Sequence, residues 1–140
     1  MSGTSYQHGC FTVFREGSLL NILFVGDSSG EDMQWLLDLV LTLESEVGPV
    51  VNLIDARQAG TLSSDARRVA STHPATKQGR ATAIFGASLA VRTLSMLVAR
   101  ATDLVRGQPQ NLALFRTEAE ARSWLASMQD RALRQKDRKK

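Results

Sequence analysis

The sequence is poor in the residues on which disulfide, zinc and multi-histidine chemistry depend. Its 140 residues contain one cysteine, Cys10, and two histidines, His8 and His73. A single cysteine excludes an internal disulfide, and no cysteine or histidine cluster has the spacing of a zinc site. The GxxxxGK[ST] and GxGxxG phosphate-loop patterns are also missing, so nothing predicts a nucleotide cofactor. We therefore expect no metal and no cofactor.

Long apolar runs are missing as well. The sequence has no stretch of about 18 uninterrupted apolar residues, so no transmembrane helix is predicted. Residues 1–10 lack the basic stretch and the apolar run of a signal peptide. These absences predict a cytoplasmic protein.

Positive charge is concentrated in one part of the chain. The net charge is +3, but residues 131–140 carry six Lys or Arg and one Asp. Residues 1–62 carry two basic and eight acidic side chains. No aromatic residue after Trp124 interleaves with the basic ones, so base stacking is not indicated. We interpret residues 130–140 as a solvated basic tail and expect no specific binding of nucleic acid.

The hydrophobic pattern predicts an opening β-hairpin followed by alternating helices and strands. Helices are predicted to begin near Ser28, Ser63 and Thr117, and a further one covers residues 88–106. The order ββαβαβαβα predicts an α/β fold with a mixed, mainly parallel sheet. We expect one domain over residues 10–129, with residues 1–9 as a flexible arm. The strands are predicted at residues 10–15, 19–25, 50–54, 81–85 and 111–115, with a polar loop at 55–62.

Residues 26–30 (GDSSG) support two different hypotheses. They match G-x-S-x-G between a strand and a helix, the setting in which a nucleophile elbow would expose Ser28. Asp55 and His73 follow in the chain order Ser, Asp, His. In the other interpretation Ser28 and Glu31 form a capping box and the glycines permit the turn. We favour the cap and keep a small serine hydrolase as the alternative function.

Three segments and the order of the elements together resemble the bacterial SpoIIAA-like proteins, whose fold is shared with STAS domains. In the last segment, a strand ending in Phe115 and Arg116 leads into a capped acidic turn and Trp124. The resemblance covers residues 10–128. It implies a non-enzymatic regulatory or interaction domain that binds a protein partner or a lipid-like apolar ligand. The segments are VVNLIDA (50–56), AIFGASLAVRTLSMLVAR (83–100) and LALFRTEAEARSWLAS (112–127).

The resemblance also implies a phosphorylation switch. In the anti-sigma-factor antagonists of the STAS family, a serine at the start of the helix after the central strand is phosphorylated. In this chain that place is held by Ser63 or Ser64. A phosphate there would lie at a helix N-terminus and add up to about two negative charges. The family's D-S-S-G motif stands instead at residues 27–30, one helix earlier, and Ser63 is alternatively a plain N-cap.

The helix predicted at residues 88–106 carries a broad apolar stripe. Such a stripe covers a sheet in most α/β folds. It could equally form a homodimer, with Leu94, Met96 and Leu97 as contacts, or shield a cavity for a lipid-like ligand. The sequence leaves these three interpretations open.

Overall fold

The computed structural model describes residues 4–77, 80–89, 92, 93, 96 and 112–138. In this part of the chain, six strands form one sheet and four helices are bounded. The arrangement confirms the predicted α/β fold with a mixed sheet. The strands are β1 (Ser5–His8), β2 (Phe11–Glu16), β3 (Leu19–Ser28), β4 (Val51–Leu62), β5 (Thr82–Phe85) and β6 (Leu112–Phe115), and the helices are α1 (Gly30–Val47), α2 (Ser64–Thr72), α3 (Pro74–Lys77) and α4 (Glu118–Arg138).

The strands lie in the sheet in the order in which they occur in the chain. β1, β2 and β3 pair antiparallel, and β3 to β6 pair parallel. β2 and β3 form the predicted hairpin, and Gly17 takes a left-handed φ of 58° in its turn. Helix α1 lies in the crossover from β3 to β4, and α2 and α3 lie in the crossover from β4 to β5, as the alternating pattern predicted.

The sheet includes two segments that the sequence did not predict as strand. Residues 5–8 were expected in the flexible arm, but they form β1 and pair with β2, and Cys10 lies in the turn after β1 rather than at the start of a strand. Residues 55–62 were expected to form a loop, but β4 continues to Leu62. The physical reason is the parallel pairing with β3, which continues through register shifts between Leu23 and Val25 and between Gly26 and Ser28.

The two faces of the sheet have separate cores. On the first face, buried side chains of β2 and β3 pack against Leu36 and Val40 of α1 and Ala66 of α2. On the second face, buried side chains of β4 and β5 pack against Ala121 and Leu125 of α4. Because side chains alternate along β4, this strand contributes to both cores.

Parts of the predicted helix at residues 88–106 lie outside the described residues. These include Leu94 and Leu97, and Met96 is exposed at 42%. The backbone of α4 continues to Arg138, so the basic segment begins as a helical extension. None of the helices in the described ranges is long and apolar enough to cross a membrane.

Candidate regulatory surface at the start of helix α2

Helix α2 begins where the sequence predicted it. Ser63 has extended backbone angles (φ −64°, ψ 164°), and its Oγ accepts a hydrogen bond from the backbone N–H of Ala66 at 3.0 Å. Ser63 is therefore the N-cap, because it satisfies one of the N–H groups that the first turn leaves without a helical partner. Ser64 is the first helical residue, and both serines are exposed.

Helix α1 begins one residue later than the predicted capping box requires. Ser29, not Ser28, is the N-cap, and its partner is Asp32 rather than Glu31. Asp32 N donates to Ser29 Oγ at 3.1 Å, and Ser29 N donates to Asp32 Oδ2 at 3.3 Å. Ser28 is still part of β3 and pairs with Leu62, so the chain leaves the sheet only after it. The prediction that Ser28 caps the helix is wrong for this reason.

The starts of α1 and α2 lie side by side at the carboxyl edge of β3 and β4. Ser63 N donates to the carbonyl oxygen of Ser28 at 3.0 Å. A Cβ added to Gly30 would lie 2.8 Å from the Cβ of Asp65. We call residues 26–30 and 60–65 the serine edge, because it brings the DSSG motif next to Ser63 and Ser64.

A long-range hydrogen bond joins the two halves of the serine edge. Asp27 Oδ1 accepts from the backbone N–H of Thr61 at 2.8 Å and from its Oγ1 at 3.1 Å. These bonds lower the pKa of the Asp27 carboxyl, the backbone bond contributing most. Gly60 is required beside them, because a Cβ there would lie 2.2 Å from Asp27 Oδ1 and 2.9 Å from the backbone of Gly26.

The charges around the serine edge are mixed. Asp27 and Asp65 are exposed acids, and Arg67 and Arg68 follow on the exposed side of α2. Arg68 pairs with Asp65 at 3.2 Å, a surface contact of small energetic value. Two helix N-termini add partial positive charge at the same place. The edge therefore combines acidic side chains with the positively polarised ends of two helices.

The three residues of the hydrolase hypothesis, Ser28, Asp55 and His73, each bind a different partner and not one another. Ser28 is buried, at 2% exposure, and its hydroxyl donates to the carbonyl oxygen of Ser29 at 3.1 Å. His73 Nε2 lies 2.7 Å from Asp38 Oδ1, and His73 Nδ1 accepts from Ala75 N at 2.9 Å. Both ring nitrogens of the histidine are thus engaged away from Ser28.

The third member, Asp55, pairs with its neighbour Arg57. Arg57 Nη2 lies 2.7 Å from Asp55 Oδ2, and hydrogen bonds from this guanidinium lower the pKa of the Asp55 carboxyl. Within the described ranges, Ser28, Asp55 and His73 share no hydrogen bond. Their chain order alone suggested a triad, and side-chain geometry does not bring them together.

The single cysteine has little thiolate character. Cys10 is half-buried between the first two strands, and burial raises the pKa of its thiol to about 11. A thiol with such a pKa is protonated at neutral pH and is a poor nucleophile. Across the part of the chain that the structure describes, no group of three His, Cys, Asp or Glu side chains could hold a metal ion.

Strand order, mixed pairing and the capped helix after the central strand form an α/β domain whose fold matches two solved structures of SpoIIAA-like fold. A DUF3478-family protein of SpoIIAA-like fold from Shewanella loihica PV-4 matches with a TM-score of 0.54 and 23% identity, covering 87% of this chain and 98% of that one. The anti-sigma factor antagonist SpoIIAA in its unphosphorylated form matches with a TM-score of 0.54 and 12% identity, covering 83% and 97%. No protein-family model and no curated protein matches the sequence. The predicted resemblance is confirmed at the level of the fold.

Proposed function

We propose that this protein is a non-enzymatic, cytoplasmic regulatory domain that binds a protein partner through the serine edge and the exposed side of α2. The observation that carries the proposal is the adjacency of two capped helix starts with the exposed Ser63 and Ser64. In this fold the likeness to an anti-sigma factor antagonist supports a role in partner binding. A phosphate on one of the two serines is the switch.

Ser64 is the better phosphoacceptor of the two on physical grounds. The hydroxyl of Ser63 is engaged in capping Ala66, whereas Ser64 stands outside that cap. A phosphate on Ser64 would face the unpaired N–H groups of the first turn, where the helix dipole favours negative charge. Arg67 and Arg68 follow three and four residues later, the spacing at which helical side chains meet. The phosphate also adds charge beside Asp65 and so alters the surface that the partner contacts.

Phosphorylation is tested with single-serine variants. The purified protein is incubated with ATP and an extract of its native cell, and its intact mass is measured. We expect one added phosphate, which is lost in Ser64→Ala and kept in Ser63→Ala. Ser123→Ala, at an exposed serine of α4, serves as the matched control and should keep the phosphate. Absence of a phosphate on the wild type, or its persistence in the Ser63→Ala/Ser64→Ala double variant, would overturn the switch.

Partner binding is tested with charge-changing variants of the serine edge and of α2. A protein captured from the native extract by the wild type should be released by Arg67→Glu and by Ser64→Glu, because both change the charge of α2. Ser123→Glu should keep it. Equal capture by all four proteins contradicts binding through this surface. Native mass spectrometry of the same samples shows whether the protein forms a homodimer. A homodimer mass would make a second copy of the chain the partner instead.

The serine hydrolase alternative is tested separately. A fluorophosphonate probe labels an activated serine, and we expect no labelling because the Ser28 hydroxyl is buried and donates to Ser29. Labelling that disappears in Ser28→Ala but stays in Ser29→Ala would contradict the non-enzymatic proposal. The lipid-like ligand has its own observation in its favour, an apolar cavity on the first face of the sheet.

A further inference from the structure

A cavity of about 150 Å³ lies between the first face of the sheet and helices α1, α2 and α3. Most of its walls are apolar side chains, among them Phe24, Leu36, Val40, Ile54 and Ile84. This is close to the volume of the engineered cavity of about 150 Å³ that stays dry and binds benzene. The size therefore suits a small apolar molecule, and it lies below the range of about 300–1,000 Å³ typical of pockets for drug-sized ligands.

One part of the wall is polar, and it contains an unsatisfied acceptor. Asn52 of β4 is 7% exposed, and its Nδ2 donates to Thr82 Oγ1 at 3.3 Å. Its Oδ1 is buried and accepts no hydrogen bond from the residues that the structure describes. Buried side-chain oxygens are normally paired, and each exception calls for an explanation such as a missing partner. A donor group on a bound molecule would be that partner.

The charged groups that line the cavity disfavour an anionic head group. Arg80 lines it, but the guanidinium hydrogen-bonds both oxygens of Glu44 and the carbonyl oxygen of Ala75. Its positive charge is thus already compensated by a carboxylate. A ligand carboxylate placed beside the unpaired Asn52 Oδ1 would be repelled by that oxygen. The polar end of the cavity suits a neutral hydroxyl.

We propose that this cavity binds a small, neutral, apolar molecule that carries one hydroxyl group and donates it to Asn52 Oδ1. Its apolar body lies against Ile54 and Ile84, which follow Asn52 and Thr82 on the same face of β4 and β5. Of the residues of the serine edge only Leu62 lines the cavity, so the proposal does not rest on partner binding at that edge. The volume of the cavity limits the lipid-like ligand predicted from the sequence to a molecule of about the size of benzene.

The test compares phenol, toluene and benzoate, which share one ring and differ in the group presented to Asn52. Binding to the full chain is measured by ligand-observed NMR and calorimetry. We expect phenol and toluene to bind and benzoate not to bind. In Asn52→Leu the phenol-to-toluene affinity ratio should fall by about tenfold or more, because the phenol hydroxyl then loses Asn52 Oδ1 as its acceptor.

Two further variants keep the result interpretable. Ala70→Leu adds bulk to the wall and should abolish binding of both neutral probes. Asn21→Leu removes a buried asparagine of β3 that binds Glu16 and Arg122 outside this cavity, and it should leave the affinity ratio unchanged. Circular dichroism confirms that each variant is folded. An unchanged ratio in Asn52→Leu, no phenol binding to the wild type, or benzoate binding tighter than phenol would overturn the proposal.

Discussion

Replacing Ser63 by alanine removes the hydroxyl that caps helix α2 through Ala66 N. Loss of a serine cap costs about 1 kcal/mol in free energy of unfolding. α2 has nine residues, and a helix of this length is not stable alone in water. Its cap therefore supports the packing of Ala66, which is 0% exposed in the core of the first face. We expect the full loss of about 1 kcal/mol to appear in the stability of the domain.

Ser64 provides the matched control for this prediction. It is adjacent, exposed and changed by the same deletion of a hydroxyl, but it is the first helical residue and not the cap. Ser64→Ala should change the free energy of unfolding by less than about 0.5 kcal/mol, as for most surface substitutions. Ser63→Asp should keep the wild-type stability, because aspartate caps about as well as serine.

Urea unfolding followed by circular dichroism and by tryptophan fluorescence measures these differences. With a slope of about 2 kcal/mol/M, the midpoint of Ser63→Ala should fall by about 0.5 M. Its melting temperature should fall by about 3–4 °C. A loss in Ser64→Ala equal to that in Ser63→Ala, or a failure of Ser63→Asp to restore stability, would refute the assignment of the cap. The same variants then enter the phosphorylation assay with their stabilities known.

Two further substitutions test long-range contacts of α1 and β4. Asp38→Asn keeps an acceptor for His73 but removes the negative charge. The hydrogen bond to His73 lowers the pKa of the Asp38 carboxyl. The carboxylate therefore stabilises the fold fully above its unfolded pKa of about 3.9, and this stabilisation is lost as the pH falls through the folded pKa. Wild-type stability should therefore fall more steeply than that of Asp38→Asn in urea titrations below about pH 4, by less than about 1 kcal/mol because the carboxylate is exposed. Gly60→Ala should lower the free energy of unfolding by about 1–3 kcal/mol in the same assay, because its Cβ would collide with the backbone of Gly26 and with the Asp27 carboxylate that Thr61 holds.

Each of the substitutions Asp38→Asn and Gly60→Ala has a control variant on the same helix or strand. Glu46→Gln, at an exposed acid of α1, should retain the wild-type pH profile, and an equal flattening in both variants would contradict the role of the Asp38–His73 contact. Gln58→Ala, at an exposed position of β4, should change stability by less than about 0.5 kcal/mol. If Gly60→Ala is as stable as Gln58→Ala, the close approach to Asp27 is not a constraint.

The order of helices and strands was predictable because each element carries its own periodic apolar pattern. The hairpin of β2 and β3 and the cap at Ser63 are local features, and both were confirmed. β1 was missed because Ser5–His8 has only Tyr6 and His8 on its half-buried side. So short a polar segment has no periodicity that distinguishes a strand from an arm; its pairing with β2 makes it one.

The geometry of the candidate site depends on pairing between distant segments. Two adjacent serines, Ser28 and Ser29, are equally suited by residue type to cap α1, and the pairing of β3 with β4 decides between them. The bond between Asp27 and Thr61 joins positions 34 residues apart. Sequence reasoning located both serine segments but could not place them at one edge, because that requires the register of the sheet.

The second face of the sheet has a consequence for how the protein is made. In the described part of the chain, α4 packs Ala121 and Leu125 onto this face, over Leu53 and Phe85. α4 follows all six strands in chain order. A translation product that ends before residue 118 would lack α4 and leave the apolar second face uncovered. We expect such a product to be prone to aggregate.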